Sequence, residues 1–286
     1  MPEVALSSAM LVAEGADSLR GAGVADARRQ ALRIWAELEG ISLGESLLAG
    51  GAAVDSHHAA LYRCAIIRRA AGEPLSHVTG KVGFRHLTLQ SDGRALIPRP
   101  ETEGLVELLL QRVRSGSVAD VGTGSGCIAL SLAYEGEFER ILALDTSAEA
   151  LALARVNHQL VGGPQTVHFV QGDLATAVAA GSLDAMISNP PYLTLSEYAR
   201  LDSSVRDWEP ALALTAGADG MEQTTRLVRE GWAAVRPGGW MALELDCSRA
   251  NAAATLAAGH GWQNVSLHRD LFGRERYLLA QRSDTR

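Results

Sequence analysis

Asp120-Val121-Gly122-Thr123-Gly124-Ser125-Gly126 follows a short apolar run, Val118 to Val121, and leads into one with helical spacing, Cys127 to Ala133. A strand, a glycine-rich turn and a helix in that order bring backbone close to a ligand at a helix end whose free N–H groups favour an anion or carboxylate. Spacing decides the kind of ligand. A dinucleotide fingerprint takes G-x-G-x-x-G, and although Gly122 and Gly124 fit it, Cys127 occupies the place of the third glycine. The glycines instead read G-x-G-x-G.

Outward from this turn, everything after Pro98 alternates strand and helix, which implies a mostly parallel sheet covered by helices on both faces. Strands are expected at Val118 to Val121, Ile141 to Leu144, Val167 to Val170, Ala185 to Ile187, Trp240 to Leu245, Val265 to His268 and Tyr277 to Ala280. Only Arg269 to Arg276 separates the last two, too short for a helical crossover, so they should pair antiparallel. Pro100 stands where a helix can begin, with Leu105, Val106, Leu108 and Leu109 as its apolar face.

Before Pro98 the pattern differs. Residues 1–72 are rich in Ala, Leu, Arg and Glu, with Ala31, Ile34, Trp35 and Leu38, then Leu61, Cys64, Ala65 and Arg68, at helical spacing, and Gly21, Gly23, Gly40, Gly44, Gly50 and Gly51 as breaks. This predicts four or five short helices. Residues 73–97, with Gly80, Gly83, Asp92 and Gly93 as turn residues, read as a β-hairpin connector, and 98–286 as the α/β domain.

A formal charge of −7 argues against a general nucleic-acid binder. From Leu61 to Arg99 the balance reverses: Arg63, Arg68, Arg69, Lys81, Arg85, Arg94 and Arg99 face only Glu73 and Asp92. Such a stretch either steers an acidic macromolecule or is a solvated face. Cys64, Cys127 and Cys247 lack metal or disulfide spacing, so neither a zinc site nor a disulfide framework is expected. The start carries Glu3 and Glu14 and no basic segment ahead of an apolar core, so secretion and membrane insertion are not expected.

Three further sites follow successive strands. Asp145 ends the second strand, where a carboxylate can accept ribose hydroxyl protons; Asp145 or Ser147 can also cap the next helix. Asp173 follows the third strand, placed to receive an adenine amino group with Leu174 against the ring, though alone it reads as a loop acid. Asn189-Pro190-Pro191-Tyr192 ends the apolar run Leu183 to Ser188, placing an amide and an aromatic ring on a rigid turn. A planar, weakly nucleophilic nitrogen suits that set.

G-x-G-x-G is the spacing used by Rossmann-like methyltransferases that take S-adenosylmethionine, and over its full length the chain resembles the HemK-like release-factor glutamine N5-methyltransferases. Leu96-Ile97-Pro98-Arg99-Pro100-Glu101-Thr102-Glu103 is the most specific string. Glu73-Pro74, Gly80 and Phe84, then Glu209-Pro210, Ala213-Leu214, Gly217, Asp219 and Gly220, and finally Asp270-Leu271, Gly273-Arg274 and Arg276-Tyr277 extend the match. The resemblance implies a class I methyltransferase fold, S-adenosylmethionine as cofactor, and peptide chain release factors as protein substrate, modified within Gly-Gly-Gln; the scattered cysteines fit a reducing, cytoplasmic setting with no metal, and nothing in the sequence requires more than a monomer. It assigns cofactor contacts to Gly122, Thr123, Gly124, Ser125, Gly126, Asp145, Asp173, Leu174 and Asn189. Substrate contacts fall to Asn189, Pro190, Pro191, Tyr192 and Arg99, with Asn189, Pro190 and Tyr192 catalytic, while the helical region would dock the release factor. His77 stands where the family usually has Tyr, and Asp246 and Arg249 where Gly and Gln are expected. Competing readings are an amino methyltransferase acting on another protein glutamine or on adenine in nucleic acid, a nicotinamide-dependent oxidoreductase, and a non-catalytic S-adenosylmethionine binder.

Overall fold

The computed structural model describes residues 6–48 and 51–283; Glu3 and Gly50 lie outside them. Two compact units emerge, one of Met1–Lys81 with Asp202–Trp208, the other of Val82–Leu201 with Glu209–Arg286.

The first unit is helical: α1 (Ser8–Gly21), α2 (Ala27–Glu39), α3 (Leu43–Leu48), α4 (Ser56–Ala70) and α5 (Leu75–Thr79). Asp55 caps α4 by accepting the His57 and His58 amides at 2.8 and 3.0 Å. Its core joins Leu11, Leu19, Ala31, Ile34 and Tyr62, and the Trp35 and Tyr62 rings meet edge to face with centroids 5.7 Å apart. A Cβ on Gly15 would collide with the Tyr62 ring, so glycine there admits the close approach of α1 and α4. The buried face of α4 is Ala59, Tyr62, Ala65 and Ile66, while Leu61 and Cys64 are exposed. Tyr62 turns the helix because its ring fills the core and its hydroxyl reaches the Ala31 carbonyl at 3.2 Å.

A short hairpin, β1 (Lys81–Phe84) and β2 (Leu87–Gln90), follows. Gly83 lies within β1 and Gly80 ends α5; the reversal falls instead at Arg85-His86, with Arg85 at φ 49°. That left-handed arginine is held by Glu103, which accepts its amide at 3.0 Å, and by Glu107 and Glu135, which accept its guanidinium at 2.9 and 2.5 Å.

The second unit continues with α6 (Pro100–Leu110), β3 (Ser115–Val121), α7 (Cys127–Glu135), β4 (Glu137–Asp145), α8 (Ala148–Leu160), β5 (Val167–Gln171) and β6 (Leu183–Ser188). Short α9 (Leu195–Tyr198) and, grouped with the helical unit, α10 (Ser203–Arg206) precede α11 (Glu222–Ala234), β7 (Val235–Glu244), α12 (Ala250–Gly259), β8 (Trp262–Arg269) and β9 (Glu275–Arg282). All seven expected strands are present, in the order β5-β4-β3-β6-β7-β9-β8. β9 runs antiparallel to both its neighbours, as the short final connection requires. Pro100 starts α6 at its first turn. The chain leaves β3 toward β4 and β5 on one side and returns to β6 and β7 on the other, so the order reverses between β3 and β6. Ligands bind outside the carboxyl ends of strands at such a reversal.

The seven basic residues between Leu61 and Arg99 do not form a free positive surface. Arg63 pairs with Glu14, Arg68 with Glu73, Lys81 with Glu37, Arg85 with Glu107 and Glu135, Arg94 with Asp92 and Arg99 with Glu209. Arg69 bonds Gln30 and the Glu73 carbonyl. Besides Glu73 and Asp92 within the stretch, Glu14, Glu37, Glu107, Glu135 and Glu209 come from outside it, which is why the local count misleads.

Candidate active site

Gly122, Gly124 and Gly126 have φ of 75°, 55° and 84°, a conformation that side chains rarely adopt. The loop they form is fixed from both sides. Asp120, fully buried, accepts the Thr123 hydroxyl at 2.6 Å and the Ala129 amide at 3.0 Å, while the Leu144 carbonyl accepts the Gly122 and Thr123 amides. Burial pushes the Asp120 carboxyl up to about 7 and the Cys127 thiol up to about 12, so this thiol stays protonated.

Asp145 accepts the Gly124 amide on one oxygen and the Ser147 amide on the other, both at 2.9 Å. Ser147 is the cap of α8, its hydroxyl accepting the Ala150 amide. Each Asp145 oxygen keeps lone-pair capacity for a ligand. Asp173 is held by the Arg226 guanidinium at 3.0 and 2.9 Å, and Leu174 sits at φ 50°.

Asn189, immediately beyond β6, gives its Nδ2 to the Thr102 hydroxyl at 3.0 Å, and Thr102 gives its proton to Glu244 Oε2 at 2.8 Å. Thr102 and Glu244 are each 2% exposed. Burial, the largest influence, raises the Glu244 carboxyl to about 7 against the favourable charges of Arg276 and Arg99. Burial likewise raises Tyr192.

A cavity of about 260 Å³, near the lower end of small-molecule sites, brings most of these groups together. Its wall includes Gly122, Thr123, Gly124, Ser125, Asp145, Asp173, Leu174, Asn189, Pro191 and Arg99. Gly126, Pro190 and Tyr192 are not on that wall. Gly126 shapes the turn, where a Cβ would crowd Ala154, and Pro190 is buried. Arg99 lines the cavity with its guanidinium committed to Glu209, whose other oxygen accepts the Ile97 amide at 3.0 Å.

Sequence reading missed Thr102, Glu209 and Glu244 as parts of this site. Two of the three positions that depart from the family pattern meet each other: Arg249 lies 3.6 Å from Asp246, and also bonds Glu197 and the Asp219 carbonyl. They tie the start of α12 to the segments on either side of Gly217. Among the described residues, no cluster of three or more His, Cys, Asp or Glu could hold a metal, and no helix is long and apolar enough to cross a membrane.

The residues present fit S-adenosylmethionine. A Cβ on Gly122 would meet nothing within 4 Å, so this glycine leaves its stretch of the wall open for a ligand to approach the backbone. The braced carboxylate of Asp145 stands beside it.

The model of the methyltransferase small domain matches residues 100–201, and that of the PrmC N-terminal domain matches 10–80. A protein of Deinococcus radiodurans named release factor glutamine methyltransferase is 40% identical, over 96% of this chain and 98% of its own. Its namesakes in Streptomyces coelicolor and Rhodospirillum rubrum are 35% and 36% identical, over 95% and 98% of this chain and 97% and 86% of theirs. Among solved structures, a methyltransferase from Pyrococcus furiosus aligns with TM-score 0.51 at 19% identity, over 68% of this chain and 88% of that one. The hMettl16 catalytic domain aligns at 0.55 and 17%, over 82% and 86%, which speaks to fold alone. With a Rossmann-like sheet, a glycine loop at its reversal point and near full-length relatives at this identity, the chain belongs to the release factor glutamine methyltransferase family.

Proposed function

We propose that the chain transfers a methyl group from S-adenosylmethionine to the side-chain nitrogen of the glutamine in the Gly-Gly-Gln motif of peptide chain release factors. The observation that carries this reading is Asn189 on the wall of the same cavity as the glycine loop and Asp145, with its Nδ2 engaged by Thr102. When bound, S-adenosylmethionine supplies a methyl carbon made electrophilic by its sulfonium. The loop from Gly122 to Gly126 would receive its amino-acid end, Asp145 its ribose hydroxyls, and Asp173 with Leu174 its adenine.

A carboxamide nitrogen is a poor nucleophile because its lone pair is delocalised into the carbonyl. Asn189 Oδ1 and the Pro190 carbonyl accept its two N–H bonds in this reading, hold it in line, and stabilise positive charge as it develops. Pro191 keeps the turn rigid and Tyr192 covers the amide plane. The tetrapeptide contains no general base, so the surplus proton passes to water.

Residues 1–72 act as the docking domain, 73–97 as the linker and 98–286 as the catalytic domain, in a cytoplasmic monomer. From Arg63 to Arg99 every basic residue but Arg69 is ion-paired, and Arg69 is hydrogen-bonded, which disfavours docking by charge steering. Methyl-labelled S-adenosylmethionine offered with release factor and with DNA tests the substrate class. Label on release factor alone is expected; label on DNA alone overturns the reading.

A further inference from the structure

We propose that Thr102 and Glu244 form a positioning relay that turns the Asn189 amide so that its oxygen, not its nitrogen, faces the substrate; this rests on the reading of Asn189 as the amide clamp. The three residues come from α6, the end of β7 and the turn after β6, and meet through contacts of 3.0 and 2.8 Å. An asparagine amide has two ends of nearly equal size, one accepting and one donating. An incoming glutamine –NH2 needs an acceptor, and a reversed Asn189 would set one donor against another. Something must choose between the two orientations.

Proton counting makes the choice. The Thr102 hydroxyl has one proton, and an ionised Glu244 can only accept, so the proton goes to Glu244. The Thr102 oxygen can then only accept, and Asn189 must offer Nδ2 to it. Asn189 is on the cavity wall, and Oδ1 is the end of its amide that the bond to Thr102 leaves for a ligand. If Glu244 takes up a proton it can donate to Thr102, whose own proton then turns to Asn189, and the amide reverses.

The groups around Glu244 set where that reversal occurs. Arg276 of β9 and Arg99, preceding α6, favour the carboxylate, while Glu101 of α6 opposes it. Tyr192, Tyr277 and Cys127 are uncharged neighbours, with the Tyr277 hydroxyl already committed to the Glu101 carbonyl at 2.6 Å. Burial outweighs the arginines and brings the carboxyl to about 7, so the relay changes polarity near neutral pH.

Steady-state kinetics on intact release factor at saturating S-adenosylmethionine test the relay with Thr102→Val, Thr102→Ser, Asn189→Ala, the Thr102→Val/Asn189→Ala double variant and Glu244→Gln. Thr102→Val should lower kcat roughly 10- to 100-fold, with KM for release factor and calorimetric cofactor affinity changed less than about threefold. Thr102→Ser should restore kcat, and the double variant should be no slower than Asn189→Ala alone. The acid limb of the kcat–pH profile should disappear in Glu244→Gln. Wild-type kcat in Thr102→Val, failure of Thr102→Ser to rescue, additive losses in the double variant, or an unchanged acid limb in Glu244→Gln each overturns the relay. Wild-type kcat in Asn189→Ala would instead remove the clamp itself, whereas a slow Asn189→Ala beside a fast Thr102→Val removes only the relay.

Discussion

The Asp145 carboxylate accepts the Gly124 amide at 2.9 Å, tying the end of β4 to the glycine loop that follows β3. One acid therefore shapes the loop and keeps acceptor capacity for a ligand. Asp145→Asn should weaken S-adenosylmethionine binding about 10- to 100-fold, the loss of one or two charge-assisted hydrogen bonds. Asn189→Ala should leave that affinity nearly intact while activity falls steeply. Calorimetric titration of both variants separates them; comparable loss of affinity in the two would contradict this division of labour.

Glu209 joins the strip from Ile97 to Arg99 to the segment that begins at Pro210, and both strips line the cavity. Its side chain is 1% exposed. Glu209→Ala leaves Arg99 without its acid and the Ile97 amide without an acceptor, and should cost about 2–4 kcal/mol. Denaturant unfolding measures the loss, and cofactor affinity should fall with it.

Asp120 and Glu244 both have folded-state carboxyls near 7, above their ordinary values of 3.8 and 4.5. The folded protein therefore holds more protons than the unfolded chain between about pH 4 and 7. The stability these two groups contribute is fully present below their unfolded values and is lost as pH rises through 7. Glu244→Gln should accordingly gain on the order of 2 kcal/mol at pH 8 relative to wild type, with little difference at pH 4. Urea midpoints at the two pH values check the sign, and a variant stabilised more at pH 4 than at pH 8 would refute it.

The glycine loop, Asp145, Asp173 and Asn189 were legible because each lies at a strand end, and strand ends can be read from local apolar runs. The partners that fix them were not. Thr102 is 142 residues from Glu244 and 87 from Asn189, and Glu209 is 112 from Ile97, so only the sheet order brings them together. In the sequence Glu244 is one acid within the strand expected from Trp240 to Leu245, and Thr102 is one letter in a string that carries two prolines and two acids. Likewise Gly83 suggested a turn that the structure places at Arg85, because three acids from α6 and α7 hold an arginine in the left-handed region.

Mass spectrometry of release factor incubated with the enzyme and S-adenosylmethionine tests the proposed reaction most directly. The expected result is one added CH2, located by fragmentation on the side chain of the Gly-Gly-Gln glutamine and absent with Asn189→Ala. An unmodified release factor, or a methyl group on any other residue, would contradict it.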